Sequence, residues 1–420
     1  MSYSNYTAIG KCCFWPFLLL APLAAQSTVQ LERRIVELEE KMRLMEARIE
    51  ELLPKKQIPT APEPVPAVTR AADIETRLPV AGYMDFHVNK DRGDPFRPDF
   101  HRFVLLFGHS FSDRIKFWSE VEIEHAFVEG GERSGELAVE QAYLDFLYKP
   151  ALNFRAGMLL APVGIVNERH EPPSFNGVER PFVETLIIPT TWRELGFGLT
   201  GDLGRGFRYR AYILSALDAG QFDAENGISN GRRRGFDASF RNPAKTARLE
   251  YAGMRHLTLG GSFYSGHAGF ATPGLNPRVS IAEFDGRYSF RRLDFRGLFA
   301  NTWVDRAGEL NLRLQRQHGA NPNIARQMRG YYFEPAVHVL PRRSRNDLIL
   351  FGRYEKYNTQ HRMPQGFVPL RQFDRSSWIT GVTFKPNADV AIKFDYVFNR
   401  SQSAVVRAVD GINLGIGWWF

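Results

Sequence analysis

The 420-residue chain is poor in cysteine: it has two, Cys12 and Cys13, side by side near the start. Disulfides are thereby excluded as the framework of everything downstream. It also lacks a long apolar run, since the stretch from Cys12 to Leu23 is shorter than the roughly 20 residues a spanning helix needs. A basic stripe is missing too, because the basic groups behind the net charge of +8 are mostly arginines scattered singly. Nucleic-acid binding would call for a clustered basic face and a recognisable motif, so no nucleic-acid partner is expected. There is no nucleophile elbow, no paired Cys/His metal spacing and no glycine-rich phosphate loop. Neither a catalytic residue, a cofactor nor a metal is expected, and the chain does not read as an enzyme.

What is present begins with Lys11, the run to Leu23 and Ala24-Ala25-Gln26, the pattern of a secretory signal cleaved after Ala25. An N-terminal anchor helix is the alternative. Residues 26–53 follow with Leu31, Ile35, Leu38, Met42, Met45, Ile49 and Leu52 at alternating spacings of four and three. This is a heptad seam, with Ile35, Met42 and Ile49 at a. Arg34, Lys41 and Arg48 at g face Glu32, Glu39 and Glu46 at e, which favours a parallel coiled coil. An amphipathic helix lying on its own domain is the competing reading. Residues 54–79 hold Pro54, Pro59, Pro62, Pro64 and Pro66, a semi-rigid spacer.

From Val80 to Phe420 the dominant signal is a period of two. Val390, Ile392, Phe394, Tyr396 and Phe398 alternate with Lys393, Asp395 and Asn399, and similar segments recur sixteen times, with no convincing long helix between them. Connections alternate between short turns and long loops, which points to an all-β class: a transmembrane antiparallel barrel of about 16 strands over residues 80–420, with lipid outside and charges lining a water-filled lumen. The last strand, Gly411 to Phe420, has Ile412, Leu414, Ile416, Trp418 and Phe420 on one face, with Gly411, Asn413, Gly415 and Gly417 on the other. Trp419 alone breaks the pattern. Tyr83, Tyr148, Trp303, Tyr331, Trp378, Trp418 and Phe420 are candidates for interfacial girdles. Leu310 to Gln315, in a loop, also alternates and could pair.

The longest connection, residues 161–193, is too apolar to extend into solvent and should fold into the barrel mouth. Its segments are Leu159-Leu160-Ala161-Pro162-Val163-Gly164-Ile165, Asn167-Glu168-Arg169-His170-Glu171-Pro172-Pro173, Arg180-Pro181-Phe182-Val183-Glu184-Thr185 and Ile188-Pro189-Thr190-Thr191-Trp192-Arg193-Glu194. They resemble the phosphate-selective porin O/P-type family of outer-membrane porins. That resemblance implies a sixteen-stranded homotrimer in the bacterial outer membrane whose third long loop narrows the channel, some relatives also carrying a periplasmic coiled coil. Small hydrophilic solutes or anions are then the partners, with outer-membrane lipid around the barrel, and Phe420 looks like the terminal aromatic signal of barrel assembly.

The candidate constriction residues are Glu168, Arg169, Glu171, Arg180, Glu184 and Arg193. Candidate pore-lining residues are Lys116, Arg155, Arg208, Arg210, Arg353 and Lys393. The wall also carries Glu120, Glu122, Glu124, Asp145, Glu250, Glu283, Asp285, Asp294, Glu355 and Asp395, so the signs are mixed and only a modest anion preference is expected. His87 and His338 are read as inward-facing and His170 as a packing or pore-lining residue. The alternatives are a tether held through the coiled coil and a barrel hydrolase. If residues 28–53 drive self-association, a chain lacking them should form a smaller or less heat-stable oligomer; the same oligomer with the same thermal midpoint would give that helix another role.

Overall fold

A computed structural model describes residues 40, 41, 43, 44, 81–125, 135–235, 238–269, 274–319, 321–341 and 344–420. The expected signal and spacer lie outside the described residues, as does the heptad apart from Glu40, Lys41, Arg43 and Leu44, which are helical and exposed. The rest is a ring of sixteen antiparallel strands: β1 (Ala81–Asp91), β2 (Arg97–Ser112), β3 (Ile115–Glu124), β4 (Glu136–Lys149), β5 (Leu152–Leu160), β6 (Arg193–Gly204), β7 (Phe207–Leu214), β8 (Ala244–Met254), β9 (Leu257–His267), β10 (Arg278–Phe290), β11 (Leu293–Val304), β12 (Gln327–His338), β13 (Asp347–Arg362), β14 (Asp374–Lys385), β15 (Val390–Ser401) and β16 (Gly411–Trp419). Each pairs with its sequence neighbours, and β16 closes onto β1 with Tyr83 opposite Trp419 and Val88 opposite Leu414. Closure leaves no strand edge, which is what hydrocarbon requires of a spanning sheet.

The two-residue period is what turns each strand's apolar side outward. On β15, Ile392, Phe394 and Phe398 are exposed on the outer surface while Lys393 and Asp395 are buried. Tyr148, Trp303, Tyr331, Trp378 and Phe420 also face out. Tyr83 does not: it is fully buried in the lumen, with the edge of Trp419 packed on it at a centroid distance of 5.2 Å. This corrects its placement in a girdle and explains the aromatic that breaks the terminal pattern. Trp419 points inward because it packs against Tyr83.

Short turns at residues 113–114, 150–151, 205–206, 255–256 and 291–292 share one rim with both ends of the barrel chain; the long loops occupy the other. Two of these, 161–192 and 215–243, turn inward and bury Val163, Ile165, Val183, Ile187, Trp192, Leu217, Phe222 and Ile228 against Tyr212, Leu214, Tyr264, Ile281, Ala300 and Met328. The lumen is therefore filled at this level by packed loops, rather than lined throughout by solvated charges. A third departs from expectation by forming a helix, α1 (Ala307–His318), ended by Gly319 at φ 75°. Leu310 and Leu314 lie one helical turn apart and are buried while Leu312 is exposed, so the apparent alternation of Leu310 to Gln315 was a helical face.

The inward face of β16 gives the long loop its seat. A Cβ on Gly415 would come within 3.0 Å of Val178, and one on Gly417 would overlap the Pro172 ring. Small residues there let loop backbone approach the wall. Replacing Gly417 by Val should leave β16 paired and push Pro172 away, opening the chain near Arg169 and Arg180 to trypsin; a loop as resistant as wild type would show that β16 is not its seat.

Candidate functional site

Residues 161–192 make a closed loop whose neck is fastened by backbone and by one side chain. The Ala161 N–H donates to Trp192 O at 2.8 Å, while Asn167 donates to Ala161 O at 2.8 Å and accepts from the Trp192 N–H at 2.8 Å. Within the loop, Glu184 accepts from the N–H groups of Ile165 and Val166, each at 2.7 Å, and from the Tyr332 hydroxyl at 2.7 Å. Burial pushes the Glu184 carboxyl above its ordinary range, against the pull of those donors.

Across the lumen the loop meets the far wall as a sequence of paired peptide groups. Val178 N–H donates to Asp395 at 2.6 Å, and Val183 N–H to Glu355 at 3.1 Å. Its carbonyls are taken by Lys393 at Gly177 (2.7 Å), Lys385 at Pro173 (2.8 Å), Arg296 at Ser174 (3.3 Å) and Thr302 at Ile187 (2.8 Å). Arg353 reaches Asn176 O at 3.4 Å and pairs with Glu355 at 2.8 Å and Glu334 at 3.1 Å. Buried peptide groups need such partners, and a loop that has them is held in one conformation.

Near its start the loop is fixed by His170. Its Nε2 lies 3.0 Å from Glu140 and 3.6 Å from Glu120, and its Nδ1 is 3.0 Å from Asn167 O. Burial alone would lower its pKa, but Glu140, followed by Glu120, raises it to about 10, so His170 is protonated at neutral pH. The Tyr83 hydroxyl donates to Glu120 at 2.9 Å.

Open space remains on both sides of the loop. Toward the long-loop rim is a cavity of about 500 Å³, bordered by Arg102, Arg180, Arg193, Arg232 and Arg234 and by Glu122, Glu136 and Glu179. The guanidinium groups crowd one another: burial, then Arg234, Arg193 and Arg180, lower the Arg232 pKa to about 10, and burial with Arg102 lowers that of Arg180. Toward the short-turn rim is a narrower cleft of about 50 Å³ beside Arg155, Glu168, Arg169, Arg210 and Tyr212. There Glu250 is approached by Arg169 at 3.3 Å, Arg248 at 3.6 Å, Arg287 at 3.7 Å, and Arg208 and Arg210 at 3.9 Å each. One carboxylate faces five guanidinium groups.

The twelve sequence candidates therefore divide. Glu168, Arg169, Arg208 and Arg210 gather below the loop, with Glu168 on Arg210 at 3.1 Å. Arg180 and Arg193 border the upper cavity, Arg180 donating to Thr190 at 2.7 Å and Thr191 at 2.5 Å, and Arg193 lying 3.5 Å from both Glu136 and Glu140. Arg193 opens β6 rather than ending the loop. Glu184, Arg353 and Lys393 are buried fastenings of the loop instead of open pore surface, and the Glu171 carbonyl caps a turn by accepting from Ser174. Arg155 is held bidentate on Asp145 at 2.7 and 2.8 Å, and Lys116 bonds Ser110 near the short-turn rim. His87 faces inward, as read from its strand, within 2.9 Å of Asp85; His338 lies between Asp294 at 2.8 Å and Asp347 at 2.7 Å.

Sequence reading passed over Glu140, Arg232 and Arg234. Glu140 sits at a β-bulge: Glu120 pairs with Gln141 and Val121 with Val139, so Glu140 is the extra residue and both it and Gln141 face in. Strict alternation along β4 hides it. Arg232 and Arg234 come from loop 215–243, whose inward fold has no periodic signature.

No family model matches the chain. A protein of Aquifex aeolicus described as uncharacterized is 36% identical over 364 residues, covering 84% of this chain and 83% of that protein. Among solved structures, the anion-selective porin of Comamonas acidovorans has a TM-score of 0.53 at 14% identity, covering 81% of this chain and 98% of that one. OmpF of Salmonella typhi, in complex with daunomycin, has a TM-score of 0.55 at 12% identity, over 81% and 97%. The outer membrane channel DcaP of Acinetobacter baumannii has a TM-score of 0.52 at 11% identity, over 81% and 96%. The fold is that of outer-membrane porins.

Replacing Glu184 by Ala leaves two buried N–H groups without an acceptor and should cost roughly 2–4 kcal/mol in urea unfolding of the detergent-folded protein, whereas Gln, which keeps an acceptor oxygen, should cost clearly less. Equal losses for Ala and Gln would mean that the carboxylate charge, and not the acceptor, is what the loop needs.

Proposed function

We propose that the chain, which belongs to the family of the Aquifex aeolicus protein, is an outer-membrane porin admitting small hydrophilic solutes by passive diffusion with a preference for anions, a reading supported by the loop-narrowed barrel and by the fold it shares with outer-membrane porins. The observation that carries this reading is the course of residues 161–192 through the lumen, anchored at Glu140 on β4 and, across the ring, at Glu355 on β13, so that any solute crossing the barrel must pass it. The preference for anions rests on the guanidinium groups that collect on both sides: Arg180, Arg193, Arg232 and Arg234 above, beside Glu122, Glu136 and Glu179, and Arg169, Arg208, Arg210 and Arg287 below, around Glu250 and Glu168. Basic groups of one sign in excess select anions by their field. The same sites support the phosphate-selective O/P type as the finer family reading.

In this reading residues 1–25 direct export, the coiled coil of residues 26–53 and the proline-rich spacer 54–79 lie in the periplasm, and the barrels associate as a homotrimer in the bacterial outer membrane. Short turns and barrel termini then face the periplasm, the long-loop cavity faces outside, and the exposed belt of Phe, Leu and Trp side chains meets lipid.

Reconstituted in planar bilayers, the protein should give discrete conductance steps, and a salt gradient should give a reversal potential of anion-preferring sign. Absence of steps sinks the channel reading, and cation preference refutes the selectivity. Charge-neutralising Arg208→Gln with Arg210→Gln should move the reversal potential toward cations without loss of folded barrel, whereas Lys116→Gln, near the rim, should leave it close to wild type.

A further inference from the structure

We propose that Glu120, Glu140 and His170 form a site for one divalent transition cation of the zinc type, which ties the long loop to the barrel wall. This goes beyond the channel reading and does not depend on it. One oxygen from each carboxylate and one imidazole nitrogen lie within 4.8 Å of one another. His170 Nε2 stands 3.0 Å from Glu140 Oε2 and 3.6 Å from Glu120 Oε1. Bonds of about 2.0–2.2 Å from a common ion place neighbouring ligand atoms at about this spacing.

The surroundings are those of an oriented ligand set. A histidine that ligates through one nitrogen commonly gives its other N–H to a carbonyl or carboxylate; His170 Nδ1 is 3.0 Å from Asn167 O, while Nε2 faces Glu140 and the Tyr83 hydroxyl, each at 3.0 Å, and an ion would take the place of those hydrogen bonds. The second oxygen of Glu120 accepts from Gln141 at 2.6 Å, its first from Tyr83 at 2.9 Å, and the second oxygen of Glu140 lies 3.5 Å from Arg193. The bulge at Glu140 brings a second carboxylate inward beside Glu120, where regular pairing would have turned it to lipid. Bulges that re-aim one side chain recur next to functional sites.

Charge and access agree. Glu122 is also buried close by, so three carboxylates share this wall with His170 and Arg102. Two carboxylates and an imidazole, without sulfur, suit zinc, cobalt or manganese rather than cuprous copper. His170 borders the 500 Å³ cavity, which supplies the way in. Residues 120, 140 and 170 are too far apart in sequence for any spacing motif to reveal them.

In a second trio, Asp99, His101 and His125, the two histidines line the same cavity. Its geometry is poorer for a cation, since Arg102 Nη2 stands 2.6 Å from His101 Nε2 and places a fixed positive charge against that ring. It serves as the internal control.

The full-length protein, stripped with chelator and freed of it, is titrated with Co²⁺ and then Zn²⁺. One Co²⁺ per chain should bind, with visible absorption of a nitrogen–oxygen site, and one equivalent of Zn²⁺ should displace it. Glu140→Gln and His170→Asn should abolish uptake, Gln141→Ala should weaken it roughly tenfold, and His125→Ala should leave it unchanged. Folding of each variant is read from heat-modifiable migration. If neither ligand variant folds, Gln141→Ala decides: unchanged affinity overturns the site. No uptake by the wild-type chain, uptake that survives both ligand substitutions, or uptake lost in His125→Ala would each overturn it as well.

Discussion

A segment of 32 residues cannot lie inside a barrel unless its peptide groups find partners there, because an unpaired buried N–H or C=O costs about as much as a lost hydrogen bond. The rest of the lumen is arranged around that need. Asp395, Glu355 and Glu184 accept from loop N–H groups, while Lys393, Lys385, Arg296 and Arg353 donate to loop carbonyls. Acids and bases are both required, since a peptide presents both a donor and an acceptor. The mixed signs of the wall thus have a structural cause on the side where the loop is anchored.

Charge left over after that pairing is what remains to act on a solute. Below the loop Glu250 is outnumbered by its guanidinium neighbours, and above it Arg180, Arg193 and Arg232 are close enough for the others to depress the Arg232 pKa. Neither group fastens the loop's far end. Arg353 and Lys393 are buried under loop backbone, whereas Arg208 and Arg210 lie at its open side, a division among residues that look alike in one dimension.

Closure of the ring and the seat of the long loop are also coupled at the last strand. β16 completes the ring by pairing with β1, and its inward glycines are the surface on which Pro172 and Val178 rest. Trp419 packs on Tyr83, whose hydroxyl reaches Glu120 beside His170. The terminal strand therefore meets both the seat and the near anchor of the loop.

The sequence by itself determined the strand number, the alternation of turn lengths, most of the outward-facing residues and the inward course of the long loop. All of these follow from a period of two and from local composition, and strand positions differ from the reading by only a few residues. Tertiary structure decided the rest. The bulge at Glu140, the helical face of Leu310 and Leu314, the infolding of loop 215–243, and the roles of Glu184, Arg353 and Lys393 depend on which atoms meet across the lumen. Alternation states which way a side chain points. It does not state what fills the space in front of it, and only the folded loop supplies that.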